Sequence, residues 1–218
     1  MKFRRKSAGP GADDVEVAQE AATETEPAAP PVGPFDVDEL PEDGVERVDL
    51  GSLLIAPEDG RELRLQVDET TGEVQSVMLA GSDGAVELRA FAAPRGGDLW
   101  SDVRPRIAAD MAQHGGVATE REGHFGTELM CQLTVARGDG TTGTQPSRII
   151  GINGSRWMLR ATLLGRPATD VDGAADWEDT ITKIAVRRGG AAMPVGDLLP
   201  VTLPANARRM DEPPTADA

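Results

Sequence analysis

The chain has 218 residues and a formal net charge of −15, enough length for one generous domain or two small ones. That charge argues against nucleic acid, because phosphate binding needs clustered Lys and Arg that release counterions, and only the first six residues are basic. A single cysteine, Cys131, excludes an internal disulfide, and no run of eighteen apolar residues could satisfy its backbone inside a bilayer, so a cytoplasmic protein without a membrane span is expected.

Charge also partitions the chain. Ser7 to Glu46 carries twelve acids and no Lys or Arg, whereas Arg47 to Arg188 carries sixteen bases against twenty-one acids. This predicts a disordered acidic tail with a basic N-terminus over 1–46, one α+β domain over 47–188, and an extended Pro-rich segment over 189–218. Residues 7 to 34 hold almost nothing large and apolar and cannot offset the entropy of ordering. Lys2, Arg4, Arg5 and Lys6 are not followed by an apolar stretch, so no export signal is read there. One spot in the tail is sticky: Phe35, Val37 and Leu40 sit among Asp36, Asp38 and Glu39.

Inside the domain, Ser52–Ala56, Glu62–Val67, Glu73–Leu79 and Ala85–Phe91 alternate apolar with polar and are separated by Gly-containing turns. They predict an antiparallel meander. The period then changes: Leu99, Val103, Ile107 and Met111 recur every fourth residue, with Asp98 or Ser101 as cap, Pro105 near the start and Gly115-Gly116 as the stop. A helix is expected there. Strands return at Val117–Glu122, Thr127–Val135, Arg148–Ile152 and Arg156–Leu163. Asn153-Gly154 suits a type I′ turn, whose two central residues need φ > 0. A two-residue loop would pair Ile152 with Ser155 and Ile150 with Trp157, placing Ile150, Ile152, Trp157, Leu159 and Ala161 on a core face and Arg156 and Arg160 on a solvated one. A last helix is predicted over Ala174–Val186, capped by Asp176, with Trp177, Ile181 and Ile184 on one stripe. The C-terminal patch Val195 to Leu203, broken by prolines, should run extended along the domain surface.

Three stretches, Glu122-Gly123-His124-Phe125-Gly126-Thr127-Glu128-Leu129, Gly151 to Arg160, and Met193-Pro194-Val195-Gly196-Asp197-Leu198-Leu199-Pro200, resemble the actinobacterial domain-of-unknown-function family 3710, as does the acidic tail. The resemblance covers nearly the whole chain. It implies no function and supplies no site residues. The element order also resembles the PsbP-like sandwich, an analogy of fold alone.

No constellation of catalytic groups stands out. His114 and His124 are the only histidines, and neither they nor Glu128 and Cys131 have the spacing of a metal site, so no metal and no cofactor are expected. His114 suits the negative end of the preceding helix. Cys131 alternates with Leu129 and Leu133, which predicts a buried and inert thiol. Gly138-Asp139-Gly140 lacks the Lys and Ser or Thr of a phosphate loop, and Ser101, Ser147 and Ser155 lack a nucleophile-elbow context. The reading is therefore a non-catalytic interaction or scaffold module with an unknown protein partner. Its candidate interaction residues are Phe35, Val37 and Leu40 together with Arg156 and Arg160. The alternative is a small-molecule binding domain with a pocket between sheet and helix, and an enzyme stands third.

Overall fold

The computed structural model describes residues 32–204 apart from Arg137 and Asp139. Of the tail expected to be disordered over 1–46, residues 1–31 lie outside the described residues, while 35–39 form a strand and a 3-10 turn. Three short strands come first, β1 (Phe35–Asp36), β2 (Val48–Asp49) and β3 (Leu53–Ile55), then a meander of β4 (Glu62–Val67), β5 (Val74–Ala80) and β6 (Gly84–Ala92). Helix α1 (Leu99–Gln113) leads to a second meander of β7 (Val117–Gly123), β8 (Gly126–Ala136), β9 (Thr142–Asn153) and β10 (Trp157–Gly165). The one-turn α2 (Arg166–Thr169), α3 (Ala175–Thr182) and β11 (Ala185–Val186) follow.

The two meanders form one seven-stranded antiparallel sheet in the order β4-β5-β6-β10-β9-β8-β7, joined where β6 pairs with β10. A smaller sheet has the order β1-β11-β3-β2, with β1 parallel to β11. The fold class is α+β, as the sequence predicts, with the strand at 53–55 in the smaller sheet rather than in the first meander.

Both faces of the large sheet are used. On one, Val77, Leu88, Ile150 and Leu159 pack with Leu53 and Ile55 of β3 and with Trp177 and Ile181 of α3. On the other, Leu129, Cys131, Ile149 and Met158 pack under Leu99 and Trp100 of α1. Each fully buried apolar side chain of this size contributes roughly 1.5–3 kcal/mol. Double coverage explains why Ile149-Ile150 and Met158-Leu159 interrupt the alternation, since a strand buried on both faces has no need of it.

The hairpin between β9 and β10 departs from the expected register. Asn153 pairs with Met158 and Ile150 with Ala161, so Gly154 to Trp157 form the turn, closed by the Gly154 N–H donating to the Trp157 carbonyl at 2.8 Å. The partner of Ile150 has moved from 157 to 161, an even number of positions, so every side chain keeps its face. Trp157 is buried accordingly. Gly154 does not adopt the left-handed conformation that a type I′ turn requires. A Cβ there would instead overlap the Trp157 indole.

The last helix also departs from expectation. It stops at Thr182 and has Ala174, with no side-chain bond, at its cap position in place of Asp176. Its expected end becomes β11, because the Ile184 carbonyl accepts the Phe35 N–H and Ala185–Val186 pairs with β3. The C-terminal segment is exposed or half-buried over 189–204 except at one anchor: Leu199 is fully buried, its N–H bonds the Ala90 carbonyl, and the Thr202 N–H bonds the Leu50 carbonyl. It lies beside β6 where the pairing of β5 has ended at Val77–Leu88, and it ties the large sheet to the 50–52 segment. Among the described residues, β1 at 35–36 and the 198–202 segment pair with the sheets built from 47–188.

Candidate functional site

The sticky segment of the tail is built into the smaller sheet. Phe35 and Asp36 form β1, and Val37–Glu39 make a single 3-10 turn whose cap is Asp36, accepting the Asp38 N–H at 3.3 Å. Phe35, Val37 and Leu40 are half-buried, while Asp38 and Glu39 are exposed. The apolar residues and Asp36 thus go toward the domain, and Asp38 and Glu39 toward water.

Asp36 Oδ2 accepts two hydrogen bonds from the hairpin turn, from Ser155 Oγ at 2.6 Å and from Trp157 Nε1 at 3.1 Å. Burial pushes its carboxyl up, but those bonds, the Asp38 N–H and the charge of Arg156 together outweigh it and hold the carboxyl below its ordinary value. Around it lies an open cleft of about 390 Å³ lined by Asp36, Asp38, Glu39, Arg95, Ser155 and Arg156. Arg156 donates one long hydrogen bond to the Gly189 carbonyl at 3.4 Å. The cleft therefore presents both signs of charge side by side at the tip of the β9–β10 hairpin.

Arg160 is elsewhere. It lies half-buried on the face of the sheet that α1 partly covers, its guanidinium 5.4 Å from the centroid of the Phe91 ring. Phe35, Val37 and Leu40 thus share a neighbourhood with Arg156 but not with Arg160.

A third polar group sits between the sheet and α3. Arg148 is fully buried; its Nη2 donates to Glu128 Oε2 at 2.7 Å and to Glu178 Oε1 at 2.5 Å. Burial alone would lower the guanidinium pKa, but the two carboxylates raise it above the usual value, so the charge is retained. Arg148 Nε and Nη1 and Glu128 Oε1 have no protein partner among the described residues. Alternation carried this signal: Arg148 shares its strand face with Ile150 and Ile152, so it points into the core. Arg95 had no such signal, because only the fold brings residue 95 beside residue 156.

Cys131 is buried under α1, where burial raises its pKa against a hydrogen bond from Ser147. His114 holds the cap position at the end of α1, with Nδ1 2.8 Å from the Asp110 carbonyl. His124 stands edge-on to Phe125. Among the described residues, no three His, Cys, Asp or Glu are grouped to hold a metal ion, and no helix is long and apolar enough to cross a membrane.

The family described as protein of unknown function (DUF3710) matches residues 33–210. The chain belongs to this family. None of the curated proteins matches it. Among solved structures, it is similar to the solution structure of cyanobacterial PsbP (CyanoP) from Synechocystis sp. PCC 6803, at 14% identity and a TM-score of 0.36, over 67% of this chain and 96% of that one. No functional reading rests on that likeness. The matched range takes in both β1 and Leu199, so the family's unit includes the two segments that close the smaller sheet and the gap beside β6.

Proposed function

We propose that this family member is a non-catalytic interaction module of the actinobacterial cytoplasm, and that its docking site is the mixed-charge cleft at the hairpin tip. The observation that carries the reading is the pairing of a docked acidic segment with two arginines, Arg95 and Arg156, in one open recess. A partner loop bearing both an acid and a base would find complementary groups there, and charge complementarity at a rim sets partner choice and encounter rate. The cytoplasmic assignment is supported by the single buried thiol, and the source by nineteen arginines against three lysines, a bias that fits a GC-rich genome.

The test is proximity labelling in the native cell with the full chain and with Arg95→Ala/Arg156→Ala. Loss of specific neighbours at an unchanged denaturation midpoint supports the reading. The same neighbours in both samples would remove it.

A second reading, a small-molecule binding domain, is favoured by the unpaired polar atoms of Arg148 and Glu128 between sheet and helix. A ligand screen read by melting temperature tests it, since a ligand at 100 times its Kd adds about 2.7 kcal/mol of stability. A hit that persists in Arg148→Met would place the ligand elsewhere.

A further inference from the structure

On the outer face of the large sheet, Arg89 of β6 and Arg160 of β10 stand directly opposite each other. Like charges in that relation repel. Glu87 answers only one of them: its Oε1 is 2.6 Å from Arg89 Nε and 2.5 Å from Arg89 Nη2. Among the described residues no carboxylate comes within ion-pair distance of Arg160, whose guanidinium rests instead over Phe91. Burial, and then the neighbouring Arg89, lower the pKa of Arg160, with Glu87 opposing them.

Coverage of this face is uneven. Helix α1 packs over β7, β8 and β9, and α3 lies on the opposite side of the sheet. The outer face of β5 and β6 presents Met78, Ala85, Glu87, Arg89 and Phe91 half-buried, with Arg160 and Leu164 beside them on β10. Apolar side chains flank a cation that has lost much of its water without gaining an ion pair, in a protein whose net charge is −15.

We propose that this face binds an acidic peptide segment of a partner protein, with one carboxylate between Arg89 and Arg160 and a neighbouring apolar side chain against Phe91. A carboxylate fits the planar fork of a guanidinium, and two arginines can share it. The overall negative field disfavours a polyanion such as RNA, whereas a short strand with few charges meets the local cation at little long-range cost. The site is separate from the hairpin-tip cleft and stands or falls without it.

The experiment is a titration of the full-length, isotope-labelled chain with a synthetic ten-residue peptide of Val, Thr and Ser carrying a single Glu, followed by amide resonances. Parallel titrations use the Gln-for-Glu peptide, inorganic phosphate and a single-stranded RNA oligonucleotide. Shifts should appear over 85–91 and 158–164 with the acidic peptide only and should shrink as salt is raised. Arg160→Gln should weaken binding about tenfold or more, as expected for loss of a charge-assisted hydrogen bond. Arg160→Lys, which keeps the charge and loses the fork, should fall between, and Arg121→Gln, exposed on β7 at the far edge of the sheet, should change nothing. Equal shifts with the Gln peptide, indifference to Arg160→Gln in a variant that keeps its denaturation midpoint, or binding of phosphate or RNA in place of the peptide would each overturn the proposal.

Discussion

The indole of Trp157 lies on the backbone of Gly154, in the space a Cβ at that residue would need. The same device recurs three residues earlier on the other face, where Gly151 seats the indole of Trp100. Trp100 is fixed there by Nε1 donating to the Thr127 carbonyl at 2.7 Å and by its N–H donating to Asn153 Oδ1 at 3.1 Å. Asn153 Nδ2 in turn donates to the Asp98 cap of α1 at 2.7 Å. The Asn-Gly pair therefore serves helix docking and ring packing, not a left-handed turn.

Gly154→Ala should accordingly destabilise the protein by about 1–3 kcal/mol, the range for overpacking a filled core. Gly72, with φ 72° and nothing within 4 Å of a Cβ, should accept Asn at well under that cost, because Asn tolerates the left-handed region. Denaturant midpoints of the two variants decide it, and equal losses would contradict the assignment.

Arg148→Ala would leave Glu128 and Glu178 facing each other without their cation. The expected loss is about 3–5 kcal/mol, measured by chemical denaturation. Replacing all three residues with Met, Leu and Leu should restore most of that stability, because apolar packing often equals or exceeds a buried ionic cluster. A triple variant no better than Arg148→Ala would show the charges to be required in their own right.

Acid should weaken the attachment of β1. Asp36 titrates below its ordinary value when folded, so its contribution is complete above the unfolded carboxylate pKa and disappears as pH falls through the folded one. Asp43 behaves alike: hydrogen bonding from Arg47 takes it from 3.8 to about 2, which sets its window between those values. Denaturation midpoints should therefore drop as pH falls below about 4, and Asp36→Asn should flatten part of that slope. An unchanged slope in Asp36→Asn would detach this carboxylate from stability.

Leu199→Ala should cost about 2–5 kcal/mol, as for a large-to-small change in a core. Leu203→Ala, at a residue 45% exposed, should stay within roughly 0.5 kcal/mol of the parent. Similar midpoints for both would mean that the C-terminal segment is not part of the core.

Local pattern made much of this legible. Alternation located β4 at Glu62–Val67 to the residue, and the four-residue recurrence from Leu99 with the Asp98 cap located α1. Parity assigns Trp157 to the core even though the turn is four residues long and not two, because an even register shift leaves faces unchanged. Two-residue strands such as β1 and β11 carry no period at all, and the apolar patch Val195 to Leu203, broken by a proline, has no period that singles out Leu199 for burial.

The sequence by itself determined the α+β class, the strand faces and the chain positions of the main elements, because those depend on neighbours within one or two turns or strands. Tertiary structure alone decided that Asp36 meets Ser155 and Trp157 more than a hundred residues away, that Arg95 joins Arg156 in one cleft, and that Arg89 stands opposite Arg160. Those pairings depend on which strands become neighbours, and strand order is set by how the whole set of apolar faces is buried at once. No local window of sequence contains that choice.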